Sequence, residues 1–318
     1  MAPFPAIEVR NLVKVYEKRG HTPVRALDGI SFTVQQGEIF GLLGPNGAGK
    51  TTALRILTTL LQPTSGTAAV MGHDVSVDPL EVRRNICVVV QDDAVELYLT
   101  VRNNFVSFGR FHGLAKAEIE PRIERVVELF GLQEYLKQQP IDLSGGLRRR
   151  VQVAKMFLVD TPVVFLDEAT TGMDTLSKRA TLNAIKEESR SGRTIVLTTH
   201  VLEEAEELCT SLAILNHGKV IALGDVDAVK SKTVWPYFLW MTFERMTKSV
   251  REKLSKIPSV KMDLKDRSAE LTLKDQRTAL KTVALMQKTR LLQHFEITGA
   301  SLEDVFVELL DKQPATKR

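Results

Sequence analysis

Gly44-Pro45-Asn46-Gly47-Ala48-Gly49-Lys50-Thr51 fits the pattern G-x-x-x-x-G-K-[S/T], in which a glycine-rich turn joins a strand to a helix. The flanks agree with it. Residues 39–43 are apolar except for Gly41, as suits a buried strand, and beyond Lys50 the apolar positions Leu54, Ile56, Leu57 and Leu60 recur at helical spacing. Glycines let the backbone turn so that N–H groups along Gly44, Asn46, Gly47, Ala48 and Gly49 converge on phosphates, and the helix N-terminus adds positive potential. Lys50 then reaches the β and γ phosphates. Thr51 offers its hydroxyl to the Mg²⁺ that such phosphates bring, and Thr52 adds a further phosphate contact. The pattern arises by chance in about one chain in a hundred of this length, so a plain glycine-rich turn is the weaker explanation.

A phosphate loop needs an acidic partner for its metal, and Val163-Val164-Phe165-Leu166-Asp167 supplies one at the end of a second buried strand. Asp167 is the expected metal-side carboxylate. Glu168 follows at the strand's mouth, where a carboxylate can orient or deprotonate a water attacking the γ phosphate, and is the expected general base. An Asp-Glu pair at a strand end can instead cap the next helix; the phosphate loop upstream weighs against that reading.

Around these motifs the pattern alternates. Ile7–Tyr16 and residues 27–34 alternate apolar and polar positions as strands do, and residues 163–166 and 194–197 read as central parallel strands. Strand, loop and helix repeated mean an α/β core. Residues 100–140 turn helical, with Ile119, Ile123, Val126, Val127 and Phe130 on one face and Gly131 as the stop, so a helical insertion is expected over about 95–160. A domain boundary is expected at 230/231, ahead of the aromatic run Trp235, Tyr237, Phe238 and Trp240 that Pro236 interrupts. Beyond it the pattern predicts a strand at Tyr237–Phe243, a helix over 249–257, strands at 260–264 and 269–273, and a helix over 277–289. A last helix starts at Ser301 with Asp304 in capping-box relation, and its face of Leu302, Val305, Phe306, Leu309 and Leu310 packs within its own domain or in a dimer contact. The fold class expected is α/β, a phosphate-loop NTPase core at 1–230 with a small α+β domain at 231–318.

Composition narrows the function classes. The chain has 318 residues, 43% of them hydrophobic, enough for one large core or two smaller ones. No unbroken apolar segment reaches the roughly 20 residues that span a bilayer, and residues 1–36 lack a secretory pattern, so the expectation is a cytoplasmic chain. Cys87 and Cys209 match no metal or disulfide spacing and read as small buried hydrophobes in a reducing compartment. A net charge of +4, from 43 basic and 39 acidic residues, gives no reason to expect nucleic acid as a partner.

Between the two phosphate-site motifs stands Leu143-Ser144-Gly145-Gly146. With it the sequence resembles the ATP-binding subunits of ABC transporters, whose signature this is. Physically, Ser144 and the amides of Gly145 and Gly146 make a second anion site at a helix start. The resemblance implies ATP and Mg²⁺ as cofactors and a head-to-tail homodimer, each ATP lying between one phosphate loop and the partner's signature. It also implies separate transmembrane permease subunits, with the chain peripheral on the cytoplasmic face of the membrane. Further residues match one at a time. Tyr16 resembles the aromatic that stacks on adenine, or is a plain strand aromatic. Gln91 resembles the glutamine that touches Mg²⁺ and water and faces the transmembrane partner, or is a loop glutamine. His200 resembles the switch histidine that contacts the γ phosphate and positions Glu168, and Asp174 the aspartate that links the two sites. The match covers about 7–222, with departures: Leu147 replaces the usual signature glutamine, and Asp92 and Asp93 follow Gln91.

Arg148, Arg149 and Arg150 oppose the helix dipole near a helix start, which calls for acidic or phosphate partners or else a solvated basic face, the reading preferred here. The arginine run and the ending Ser301-Leu302-Glu303-Asp304-Val305-Phe306 resemble the drug and lipid-linked exporter branch, daunorubicin-resistance-type pumps included. ATP hydrolysis driving export through a separate permease is therefore expected. The alternative, a soluble ABC-type ATPase not coupled to transport, would be expected to show a long coiled coil or two ATPase modules in one chain, and neither pattern occurs.

Overall fold

The computed structural model describes residues 4–17, 20, 22–89, 94–231, 237–259 and 261–311. They form two compact units, Met1–Gly224 and Asp225–Arg318. The division falls upstream of the 230/231 expected, because the short helix Val226–Lys230 contacts the last helix, Leu302–Asp311, and so joins the second unit. Trp235 and Pro236, which marked the expected boundary, lie outside the described residues.

The first unit is built on a six-stranded sheet in the order Lys219–Asp225, Ser211–Asn216, Ile39–Leu43, Thr194–Thr199, Val163–Asp167, Ile86–Val89. Ile39–Leu43, Val163–Asp167 and Thr194–Thr199 are buried at every position. That burial explains their continuous apolar runs, since a parallel strand in the middle of an α/β sheet is covered on both faces. The three run parallel in register, Leu43 beside Thr199 and Asp167 beside Thr198, so they end at the same edge of the sheet. The residues that follow, Gly44, Glu168 and His200, are thereby gathered at the carboxyl end, where open α/β sheets bind their ligands. A second, antiparallel sheet in the order Val24–Val34, Ile7–Tyr16, Ser65–Val70, His73–Asp74 shares one apolar core with it.

The insertion is helical, as its pattern predicts: Val101–Phe111, Lys116–Leu129 and Gly145–Met156, the last called here the signature helix. Phe130 and Phe157 are fully buried, with ring centroids 5.5 Å apart. The arginines depart from the solvated face expected of them. Arg149 and Arg150 are only 6% and 8% exposed, and Arg150 donates to the Gly131 carbonyl at 2.7 Å. Their acceptors are mainly backbone oxygens of neighbouring turns, a partner that a residue pattern does not display.

In the second unit, Tyr237–Phe243 is a strand as predicted, within a sheet ordered Met262–Leu264, Ser268–Leu273, Tyr237–Phe243, Leu292–Gly299. Leu239, Met241, Phe243, Leu271 and Leu273 face the helices Lys248–Leu254 and Gln276–Gln287 in a separate core. The strand Leu292–Gly299 has no counterpart in the sequence reading. The last helix opens with the expected reciprocal cap: Asp304 N–H donates to Ser301 Oγ at 3.2 Å, and Ser301 N–H to Asp304 Oδ2 at 2.8 Å. Leu302 and Val305 of its apolar face are buried, with Val226–Lys230 as neighbour. Among the described residues no helix is long and apolar enough to cross a membrane. Cys87 and Cys209 are buried free thiols, the latter pushed up to about 12 by burial.

Candidate active site

The phosphate loop has the backbone that its glycines permit. Gly44, Gly47 and Gly49 take φ of 151°, 80° and 109°, in the region that side chains disfavour. At two of them space forbids a side chain as well: a Cβ on Gly44 would stand 2.3 Å from the Leu215 carbonyl, and one on Gly49 2.6 Å from that of Ala26. Gly49 precedes the helix Lys50–Leu57, whose first turn therefore begins at the loop. Lys50 is 6% exposed and folds back to donate to Gly44 O at 2.6 Å and Pro45 O at 3.2 Å. Burial pushes its ammonium below the ordinary lysine value, while the carboxylates of Glu168 and Asp167 act the other way.

Above the loop lies a cleft of about 670 Å³. Asn46 to Thr52, Tyr16, Glu168 and His200 line it. Tyr16 is 39% exposed, and its hydroxyl lies 3.5 Å from Thr52 Oγ1. Glu168 Oε1 and His200 Nδ1 are 3.2 Å apart. Asp167, buried one residue earlier, accepts from Thr198 Oγ1 at 2.5 Å through Oδ1. Glu168 takes φ of 48°, a left-handed conformation that costs a non-glycine residue of order 1 kcal/mol and gathers at functional sites.

Ser144, Gly145, Gly146 and Asp174 do not line this cleft. Ser144 starts the signature helix, its Oγ accepting from Leu147 N–H at 3.3 Å, and neither it nor Gly145 or Gly146 lines the cleft. Asp174 caps the helix Thr175–Arg190, accepting from Leu176 and Ser177 N–H, each at 3.0 Å, and those backbone bonds hold its carboxyl below the usual range. Gly146 comes close to it: a Cβ there would meet Asp174 Oδ2 and Met173 Cα at 3.2 Å. Gln91 lies outside the described residues.

Four cleft residues escape the sequence reading, Val24, Arg25, Ala26 and His217, of which Arg25 and His217 carry polar side chains. Arg25 ion-pairs with Asp28 at 2.5 Å. His217, with φ of 46°, sits in the turn whose next residue, Gly218, donates to Ala48 O at 3.0 Å and accepts from Asp28 N–H at 2.8 Å. The dipeptide His217-Gly218 is a turn signal, but its contact with the phosphate loop is made across the sheet, far away in sequence.

A strand-turn-helix phosphate cradle, with carboxylates at the end of the next strand but one in the sheet, defines a phosphate-loop NTPase. The ABC transporter family profile matches residues 27–171. The "Daunorubicin/doxorubicin resistance ATP-binding protein DrrA" of Streptomyces peucetius is 35% identical over 311 residues, 96% of this chain and 93% of that protein. The "Nod factor export ATP-binding protein I" of Rhizobium meliloti is 40% identical over 222 residues, 70% of this chain and 65% of that one. Among solved structures, an ATP-binding subunit of an ABC transporter superimposes with a TM-score of 0.63 at 30% identity, over 71% of this chain and 92% of that one. A dimeric cassette in a post-hydrolysis state with ADP and Pi, 24% identical, shares the fold with a TM-score of 0.62 over 69% and 98%. The chain belongs to the ABC transporter family.

Proposed function

We propose that the chain hydrolyses ATP in the Tyr16–Thr52–His200 cleft and so drives export of a small molecule or lipid-linked substrate through a separate permease. The observation that carries the reading is the Glu168–His200 pair, 3.2 Å apart in the cleft that Lys50 and Thr51 also line. Tyr16 stacks on adenine, the loop amides and Lys50 hold the phosphates, and Thr52 adds a phosphate contact. Thr51 and Asp167 would hold Mg²⁺, with Gln91 as a further ligand. One carboxylate and one hydroxyl suit that ion, which keeps waters and takes phosphate oxygens instead of a protein cage. No group of three or more His, Cys, Asp or Glu side chains among the described residues could form such a cage. Bound there, Mg²⁺ would neutralise charge on the phosphates.

Glu168 takes the proton of the attacking water. The water oxygen bonds to the γ phosphorus, the bond to the β–γ bridging oxygen breaks, and ADP and phosphate leave. His200 holds the carboxylate in line. Ser144, Gly145 and Gly146 serve the ATP of a second copy docked head to tail, with Asp174 linking the two sites. Their position off the chain's own cleft supports that arrangement. ATP closes the dimer, hydrolysis reopens it, and the cycle moves a permease from the cytoplasmic face of the membrane. Drug resistance and Nod factor export in the names of relatives support the exporter direction.

Glu168→Gln should lower ATP turnover by roughly 10² to 10⁴-fold while ATP stays bound and the dimer stays closed in size-exclusion chromatography. Unchanged turnover in that variant would refute the assignment. Detergent extraction of a tagged chain from its native membranes should recover a polytopic membrane protein in stoichiometric amount. Recovery from the soluble fraction alone would retain the ATPase and remove the transport role.

A further inference from the structure

Arg149 belongs to the signature helix, yet its side chain leaves that helix for the turn that carries Glu168. Its Nη2 donates to Asp167 O at 2.9 Å and Glu168 O at 3.2 Å, and its Nε donates to Ala169 O at 3.1 Å. Its Nη1 donates to Gln152 Oε1 at 2.9 Å, one helical turn further along the signature helix. One guanidinium thus holds three consecutive carbonyls, an arrangement that only the planar fork of arginine can make. The three can be reached together because the chain turns sharply at Glu168, whose φ is 48°. The other side of the same turn is held by Thr198, whose carbonyl and hydroxyl accept the Glu168 N–H at 3.1 and 3.2 Å. Glu168 is therefore gripped from behind by Arg149 and from the sheet by Thr198, with its carboxylate projecting to His200.

We infer that Arg149 is a positioning residue for Glu168: it keeps the disfavoured left-handed turn in place so that the carboxylate meets the attacking water. Arg149 itself does not line the cleft, so it acts through Glu168 and not on ATP. The inference rests on the role proposed for Glu168. It also gives the signature helix a second task within its own chain. The helix that starts at Ser144, and would receive the partner's ATP, is tied five residues later to the backbone of the chain's own Glu168.

The test uses the purified full-length chain with Arg149→Lys, which keeps the charge and loses the fork. Turnover at saturating ATP should fall by roughly ten- to a hundredfold, the scale of a misplaced reacting group, while the affinity for ATP, read with a fluorescent analogue, stays within about twofold. In a Glu168→Gln background the same change should lower the residual rate no further, since the group it positions is already lost. Full turnover in a folded Arg149→Lys chain would overturn the inference, as would an equal fractional loss in both backgrounds. If Arg149→Lys does not fold, Arg149→Gln replaces it; failure of both to fold would make Arg149 a general prop and also overturn it. Normal turnover in Glu168→Gln alone would instead strike down the role of Glu168 itself, and the inference with it.

Discussion

Lys50 shows what one residue at the phosphate loop endures before any ligand arrives. Its ammonium is buried and satisfied by two loop carbonyls, and burial holds it below the ordinary lysine value despite the pull of Glu168 and Asp167. Below that depressed value the folded protein keeps a charge in a site that disfavours it. The unfolded chain binds more protons between the folded and unfolded values, so stability rises with pH across that interval. In the ATP-free protein, the thermal midpoint should climb as pH approaches from below the ordinary lysine value, near 10.4, and Lys50→Met should flatten that climb. The same variant should bind ATP at least about tenfold more weakly in a filter or fluorescence assay, because the cation opposite the phosphates is gone. An identical pH dependence in both proteins would show that Lys50 is not strained. The motif made Lys50, Thr51, Asp167 and Glu168 legible in advance, since each is set by local spacing after a strand. Arg25, His217 and Arg149 were not legible, because the fold and no local pattern brings the first two to the cleft and aims Arg149 at backbone carbonyls 18 to 20 residues away.

At the scale of elements, the signature helix is held at its start by one hydroxyl. Ser144→Ala removes the oxygen that accepts the Leu147 N–H and should cost about 0.5–2 kcal/mol, readable as a lower thermal midpoint. Because Ser144 does not line its own chain's cleft, the affinity of a single protomer for ATP should hold while ATP-driven closure of a Glu168→Gln dimer weakens in sedimentation. Equal weakening of both would place Ser144 in the chain's own site. Element reading worked where burial is uniform, as in Ile39–Leu43 and Val163–Asp167, and where one helical face is apolar, as in Lys116–Leu129. It missed Leu292–Gly299, whose residues are exposed or half-buried throughout and so lack the in-out alternation that marks a strand. It also read the arginines after the signature as solvated, since a buried guanidinium aimed at backbone leaves no pattern.

Among the described residues, the core beneath the phosphate loop and the core beneath the sheet of the second unit share no residue. Leu239 is fully buried in the latter, and Leu239→Ala should cost about 2–5 kcal/mol there. Scanning calorimetry should show two transitions, with the substitution moving one and leaving the other, together with ATP affinity, unchanged. A single transition that moves as a whole would mean that the units melt as one.

The sheet of that second unit ends on one side in three residues, Met262–Leu264, and on the other in eight, Leu292–Gly299. A long outer strand offers a row of backbone groups to any neighbouring chain, and charged or polar side chains are the usual guard against such pairing. Gln293, His294 and Glu296 stand along it, all exposed. Set among Leu292, Phe295 and Ile297, these polar side chains blur the hydrophobicity pattern of the strand and are of the kind that discourages copies from pairing along an open edge.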